Sequence, residues 1–471
     1  MTPDEVRDIE RSTAEIWALT QKMGLDPFPV HFELVPPTIM YEFGAYGIPG
    51  RFSHWTHGRA YQQIKTMYDY GLSKIYELVI NADPAHAFLL ENNTLLQNTL
   101  VVAHVLAHVD FFKHNAYFRR TNRGMLEAAS VNAERIHKYE FEHGRDEVER
   151  FLDAVLSIQE HVETSLGSRV ASRESEPGRK SRVASREGPF DDLIYIGSNK
   201  RPEALPPEHK FPAEPQKDLL LFIAEHAPDL EPWQRDVLHI VRSEQLYFVP
   251  QMQTKIMNEG WASLWHSRIM RELNLPENDY VEFARLHSGV LSPSKRSINP
   301  YYVGMKIFED IERRWDEPSE KEREELARPG GEGRTKIFEV RELENDASFL
   351  RNYLTKELVE ELDLYLYRLE DDQWVIVEKD WEVVRNTILS SMTNFGQPYI
   401  VVEDGDYRRS RELYLKHAFE GQELDVDYAD KTLRYLYRLW GRAVRLETVV
   451  DGEPTVLAYD GQSGQSEAVR S

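Results

Sequence analysis

Hydrophobic and polar positions change period several times along this chain. Residues 3–24 repeat as an amphipathic helix, and Thr2-Pro3-Asp4-Glu5 reads as its N-cap and acidic first turn. Residues 28–61 are rich in Gly, Pro and aromatics, which predicts an ordered loop rather than a regular element. Two short apolar runs, 76–81 and 87–91, flank a turn at 81–84 and predict a β-hairpin. Asn92-Asn93-Thr94 then leads into TLVVAHVLAHVDFF, residues 99–112, whose apolar character on every side predicts a buried helix. Helical periodicity follows over 125–143 and 145–163.

At 165–189 the pattern breaks into SLGSRVASRESEPGRKSRVASREGP, in which SRVASRE occurs twice, at 168–174 and 181–187. So polar a stretch cannot bury enough apolar surface to order itself, and a flexible insertion is expected. Helical periodicity resumes over 216–226, 232–249 and 251–273 and runs to about Trp315. A charged run ending in PGGEGRTK, residues 316–335, predicts a linker. Beyond it come a hairpin of 362–368 with 373–378, a helix at 381–392, a strand at 399–403, helices at 407–419 and 427–440, and strands at 443–450 and 454–459. The polar tail 461–471 is expected to be disordered. The fold class is therefore α+β. A mainly helical N-terminal domain in two parts (1–164 and 190–315) carries a small sheet, and a smaller α+β domain spans 336–460.

Composition narrows the function classes. With 471 residues, 41% of them hydrophobic and 11% aromatic, the chain is a folded protein. A net charge of −23 argues against a general nucleic-acid binder. The absence of cysteine removes disulfides, thiolate nucleophiles and cysteine-ligated zinc or iron–sulfur centres, so a metal is expected to use nitrogen and oxygen donors. The N-terminal residues lack the basic start and apolar core of a signal peptide, and the run at 99–112 is shorter than a bilayer span and carries charge-bearing groups. A cytoplasmic protein with no membrane insertion is expected.

The chemistry centres on His104 and His108. Four residues apart on a helix, their rings differ by about 40° around the axis, and two imidazoles withdrawn from water each need partners. Backbone carbonyls or carboxylates satisfy such a pair, and so does a shared ion. In QMQTKIMNEGWASLWHSRIMREL, residues 251–273, Glu259 and His266 return to nearly one face, about 20° apart. His104, His108 and Glu259 make a two-histidine, one-carboxylate set suited to a divalent ion, zinc ahead of manganese or iron, with His266 as fourth ligand or just behind the ligands. Glu244 and His266 are the candidates to activate water. His54, Trp55, Arg59 and Tyr61 in RFSHWTHGRAY are candidates to line a binding pocket. Glu134 and His137 form an isolated E-x-x-H without the second copy that a dimetal bundle needs.

Asn258-Glu259-Gly260-Trp261-Ala262 resembles the segment that supplies the glutamate ligand in zincin aminopeptidases, and the order hairpin, His-bearing helix, Glu-bearing helix resembles a zincin core. The zincin motif H-E-x-x-H places a water-activating glutamate beside its first histidine, where this chain has Val105. Ordinary peptide hydrolysis is not expected from that motif.

Several segments together resemble the SpoVR family: YEFGAYGIPGRFSHWTHGRAY (41–61), AHVLAHVDFFKHN (103–115), WQRDVLHIVRSEQLYF (233–248), QTKIMNEGWASLWHSRIM (253–270) and NPYYVGMKIFEDIERRWD (299–316), with RELYLKHAFEGQELDVDYADKTLRYLYRLWG (411–441) resembling the family's end domain. The resemblance implies a link to spore cortex formation or to a stress response, beside a PrkA-type serine protein kinase and a YhbH-type protein. Two functions are consistent with it. One is a metal-dependent hydrolase acting on a peptide or cell-wall-type amide. The other is a non-catalytic regulatory partner of the kinase system that holds a structural metal or a polar network.

Overall fold

The structure is a computed structural model that describes residues 2–69, 77–164, 210–294, 297–370 and 373–468. The SRVASRE repeats fall outside the described residues. The chain forms two compact units, Met1–Asp153 with Ile240–Gln397 and Ala154–His239 with Pro398–Ser471.

The first unit opens with α1 (Pro3–Lys22), where Thr2 and Glu5 form a capping box around Pro3 in the first turn. Residues 28–61 are not a loop. They form β1 (Val30–Val35), α2 (Pro37–Tyr46) and the start of α3 (Trp55–Asp69). Pro37 begins α2, where its missing N–H has no helical partner to lose, so the proline marks a helix start rather than a break. β2 (Glu77–Ile80) and β3 (Ala85–Leu90) form the expected antiparallel hairpin, and β1 adds to β3 in parallel, giving the order β1-β3-β2. The alternation of the strands sends Val30, Phe32, Leu34, Val79, Ala85, Ala87 and Leu89 to the main core and Val35, Leu78, Ile80, Phe88 and Leu90 to a second one.

α4 (Leu95–His114) is the central helix. A Thr94–Gln97 capping box starts it, Lys113 and His114 sit in its last turn, and all but five of its side chains are buried. By length and composition α4 alone among the described residues is apolar enough to cross a membrane, yet 83% of its apolar window is buried inside the protein. α5 (Met125–His143) and α6 (Arg145–Leu156) follow, the latter ending seven residues short of the expected 163. Next come α7 (Leu219–His226), α8 (Pro232–Gln253), α9 (Lys255–Glu272), α10 (Glu277–Val290) and α11 (Pro300–Asp316).

Two devices lock α9 into the core. Its N-cap, Thr254, makes no side-chain cap, and Asp346 accepts instead from the amides of Ile256 and Met257 at 2.8 and 2.9 Å. Further along, Gly260 faces Gly304 of α11 so closely that a Cβ on Gly260 would stand 2.3 Å from the Gly304 carbonyl carbon. The glycine pair lets the two helix backbones touch.

The expected linker at 316–335 instead contains α12 (Glu320–Leu326), and α13 (Gly333–Leu343) starts inside it, with Asp316 accepting from the Gly333 amide. α14 (Asp346–Tyr353), α15 (Lys356–Glu361), the hairpin β4 (Leu366–Glu370) with β5 (Gln373–Glu378), and α16 (Trp381–Ser391) complete the first unit. Its contiguous part therefore runs on to Gln397.

The second unit holds a five-stranded sheet, order β10-β9-β8-β7-β6. The expected helix at 407–419 is the end of β6 (Ile400–Tyr407) and β7 (Glu412–His417). Leu413, Leu415 and His417 are buried between the less buried Glu412, Tyr414 and Lys416, a period of two that overrides the helical reading. α17 (Val426–Trp440) connects β7 to its parallel neighbour β8 (Val444–Val450), and β9 (Glu453–Tyr459) follows. The expected disordered tail contributes β10 (Gly464–Ala468), paired with β9. Gln216 forms a bridge to Val402, so residues from before α7 extend this unit.

The Gly260–Gly304 contact gives a direct test. Replacing Gly260 with Ala should cost about 1–3 kcal/mol through overpacking. The control Gly58→Ala, with nothing within 4 Å of the added methyl, should be neutral or stabilising by up to about 1 kcal/mol. Urea unfolding midpoints of the two variants check this, and equal midpoints would contradict the close packing.

Candidate metal centre

α4 carries His104 and His108 one turn apart, both nearly fully buried. α9 packs along α4 and brings Glu259 to the same place. β2 supplies a fourth group, Glu77, from the sheet face whose neighbours Val79 and Leu89 pack into the main core. One donor atom from each of Glu77, His104, His108 and Glu259 lies within 4.8 Å of the others.

The distances are those of a coordination set. His104 Nε2 stands 3.2 Å from Glu77 Oε1 and 3.6 Å from Glu259 Oε2, and His108 Nε2 stands 3.7 and 3.5 Å from the same two oxygens. Four donors about 2.1 Å from a common ion in a tetrahedron are about 3.4 Å apart. His104 Nε2 and Glu259 Oε2 are buried without a well-formed hydrogen bond, so a centre shared by all four would satisfy atoms that the protein holds only at ion-pair distance.

Charge points the same way. Two buried carboxylates need two positive charges nearby, and without an ion the imidazoles supply them as protons. Burial pushes the His108 ring down, but hydrogen bonds and charge from Glu259 and Glu77 prevail and raise it to about 10. His104 is also raised, its burial outweighed chiefly by the charge of Glu77. Burial pushes Glu77 up, and the charge of His104 with hydrogen bonds from both histidines brings it down to about 2. Glu259 is lowered for the same reason. A divalent cation would replace the two protons.

The surroundings hold the donors in place. Asp110, two residues beyond His108, accepts from the Asp26 amide at 2.8 Å, from Trp261 Nε1 at 3.0 Å and from Arg341 at 2.7 Å, tying α4 to α9 and α13. His108 Nδ1 lies 2.8 Å from Asn258 Oδ1, which fixes its proton on Nδ1 and frees Nε2. His104 Nδ1 lies 2.7 Å from His266 Nδ1, and His266 Nε2 lies 2.8 Å from His287 Nδ1. The Tyr301 ring stacks on His104 at 6.0 Å, and burial together with Glu259 and Glu77 pushes its phenol far above the ordinary value, so it keeps its proton.

The other residues singled out in the sequence fall elsewhere. His266 is behind His104 rather than among the four donors, because Glu77 takes the fourth place. Glu244 is fully buried in an ion pair with Arg51 at 2.6 Å and does not join the cluster. His54 and Trp55 both engage Asp153, at 3.2 and 2.6 Å, Tyr61 packs on Tyr41, and Arg59 is exposed. These four form no common pocket wall among the described contacts. His137 is largely exposed beside Glu140. Glu77 and Tyr301 went unnoticed in the sequence. Nothing in the four residues of β2 separates an inward-facing Glu77 from a solvent-facing one.

Held free of metal by a chelator, the protein should lose stability as pH rises. The raised His108 contributes fully below its ordinary 6.5, and the contribution disappears as pH passes through about 10. Melting temperatures from pH 6 to 10 should therefore fall more steeply in chelator than with added zinc, which competes with protons for the same nitrogens. Parallel curves would contradict the assignment.

The SpoVR-like protein family matches residues 4–397, and the SpoVR-like C-terminal domain matches residues 398–451. The chain is 31% identical over 464 residues to the uncharacterized protein YcgB of Escherichia coli strain K12, covering 92% of this chain and 90% of that protein. No solved structure matches it. By both the full-length family match and this relative, the chain belongs to the SpoVR family.

Proposed function

We propose that this protein binds one divalent cation through Glu77, His104, His108 and Glu259, and that the loaded site carries out metal-assisted hydrolysis of a peptide or cell-wall-type amide. The observation that carries the reading is the buried four-donor cluster, two of whose donor atoms lack a well-formed hydrogen bond. A bound cation supplies Lewis acidity, polarising a carbonyl and making water acidic at neutral pH. The residues supply the rest. His104 and His108 hold their ligating nitrogens toward the centre, the carboxylates of Glu77 and Glu259, the less deeply buried of the four donors, form its more open side, and Tyr301 keeps a proton available for hydrogen bonding beside them. Donors of this kind suit zinc first, with manganese or iron as alternatives.

A second reading is favoured by the same count of donors. Four protein ligands close a tetrahedral zinc site, as structural sites are closed, and Val105 stands where hydrolases of the zincin type carry their glutamate. In that reading the protein is a non-catalytic regulatory partner of a PrkA-type serine protein kinase, acting with a YhbH-type protein. The link to sporulation or stress and these partners rest on the family resemblance in either reading, and the cytoplasmic location on the character of the N-terminal residues and of the run at 99–112.

Elemental analysis of untagged protein tests the shared part. The expected result is one metal per chain in the wild type and a large loss in His108→Ala, whereas a metal-free wild type or an unchanged variant would overturn it. Chelation then separates the two readings. Loss of amide hydrolysis with the fold intact supports the enzyme, while loss of several kcal/mol of stability without any hydrolytic activity supports the structural ion.

A further inference from the structure

Three imidazoles run in an unbroken line from the metal centre to a partly exposed position, His104 to His266 at 2.7 Å and His266 to His287 at 2.8 Å. His108 has a simpler arrangement, since the Asn258 amide oxygen beside its Nδ1 carries no proton and can only accept. The acceptor for His104 is another imidazole, which accepts only while uncharged and only from the nitrogen that carries no proton.

We propose that His266 and His287 are positioning residues that fix the proton of His104 on Nδ1 and so present its Nε2 to the cation. The proposal rests on the metal reading above. If His104 gives the lone pair of Nε2 to a cation, its Nδ1 carries the proton and donates to His266 Nδ1. His266 then carries its proton on Nε2 and donates to His287 Nδ1, which leaves the proton of His287 on Nε2. One arrangement satisfies both contacts together with ligation. Without His266, the proton on His104 Nδ1 would be buried without an acceptor, and the competing tautomer, with its proton on Nε2, cannot ligate. His104 and His266 are both nearly fully buried, so bulk water does not replace the lost partner.

Two measurements test the relay. Zinc affinity, by competition with a chromogenic chelator, should fall about 10–100-fold in His266→Leu, the usual effect of removing a ligand's hydrogen-bond partner. In His266→Asn it should stay close to wild type, because the amide oxygen of Asn takes the place of Nδ1. Wild-type affinity in His266→Leu would overturn the proposal. Independently of any variant's folding, nitrogen-15 NMR of histidine-labelled, zinc-loaded wild type should show protons on Nδ1 of His104 and on Nε2 of His266 and His287. A proton on Nδ1 of His266 in a sample that holds one zinc overturns the relay alone, whereas a wild type that takes up no zinc overturns the metal reading and the relay with it.

Discussion

Two negative charges buried beside two imidazoles are the constraint around which the first unit is arranged. Carboxylates withdrawn from water are costly unless their charge is matched at short range. Glu77 and Glu259 meet that condition only because β2 and α9 are held against one face of α4. The holding groups are themselves polar and buried. Asp110 takes hydrogen bonds from Trp261, Arg341 and the Asp26 amide, and Asp346 closes the open end of α9. Each is satisfied by donors from a different part of the chain, so the site's geometry depends on tertiary contacts rather than on one local motif.

The backbone contact at Gly260 and Gly304 serves the same end. It places α11 close enough to α9 for Tyr301 to lie over His104. Side chains at both glycine positions would separate the helices and withdraw the phenol from the carboxylates. Packing and electrostatics thus meet at one crossing, where the sequence reads Asn258-Glu259-Gly260 on one helix and Tyr301 to Gly304 on the other.

The helical scaffold was legible because its periods are long. α1 and α4 show their caps directly and α5 and α9 their burial patterns, and three of the four clustered donors follow from the i, i+4 spacing of His104 and His108 and from the inward face that carries Glu259. Glu77 did not, because one carboxylate in a four-residue strand looks the same in sequence whether it faces solvent or core. β1 was hidden for a similar reason. Its partner β3 is parallel and some fifty residues away, and no local turn announces such a pairing. In β7, charged residues interleaved with leucines imitated a helix, and of the two pairings that hold it as a strand the one with β8 lies beyond a whole helix. What local periodicity cannot carry is information about distant pairing.

The division of the chain bears on how such a protein folds. The C-terminal family segment, 398–451, coincides with only part of the second unit, which also takes in residues 452–471 and, from the middle of the other segment, residues 154–239. Val402 pairs with Gln216, so β6 is completed by residues encoded almost two hundred positions upstream. A break at the segment boundary at 397 would leave β6 its pairing with β7 and remove the bridge on its other edge. The two segments are therefore parts of one folding problem rather than self-contained modules.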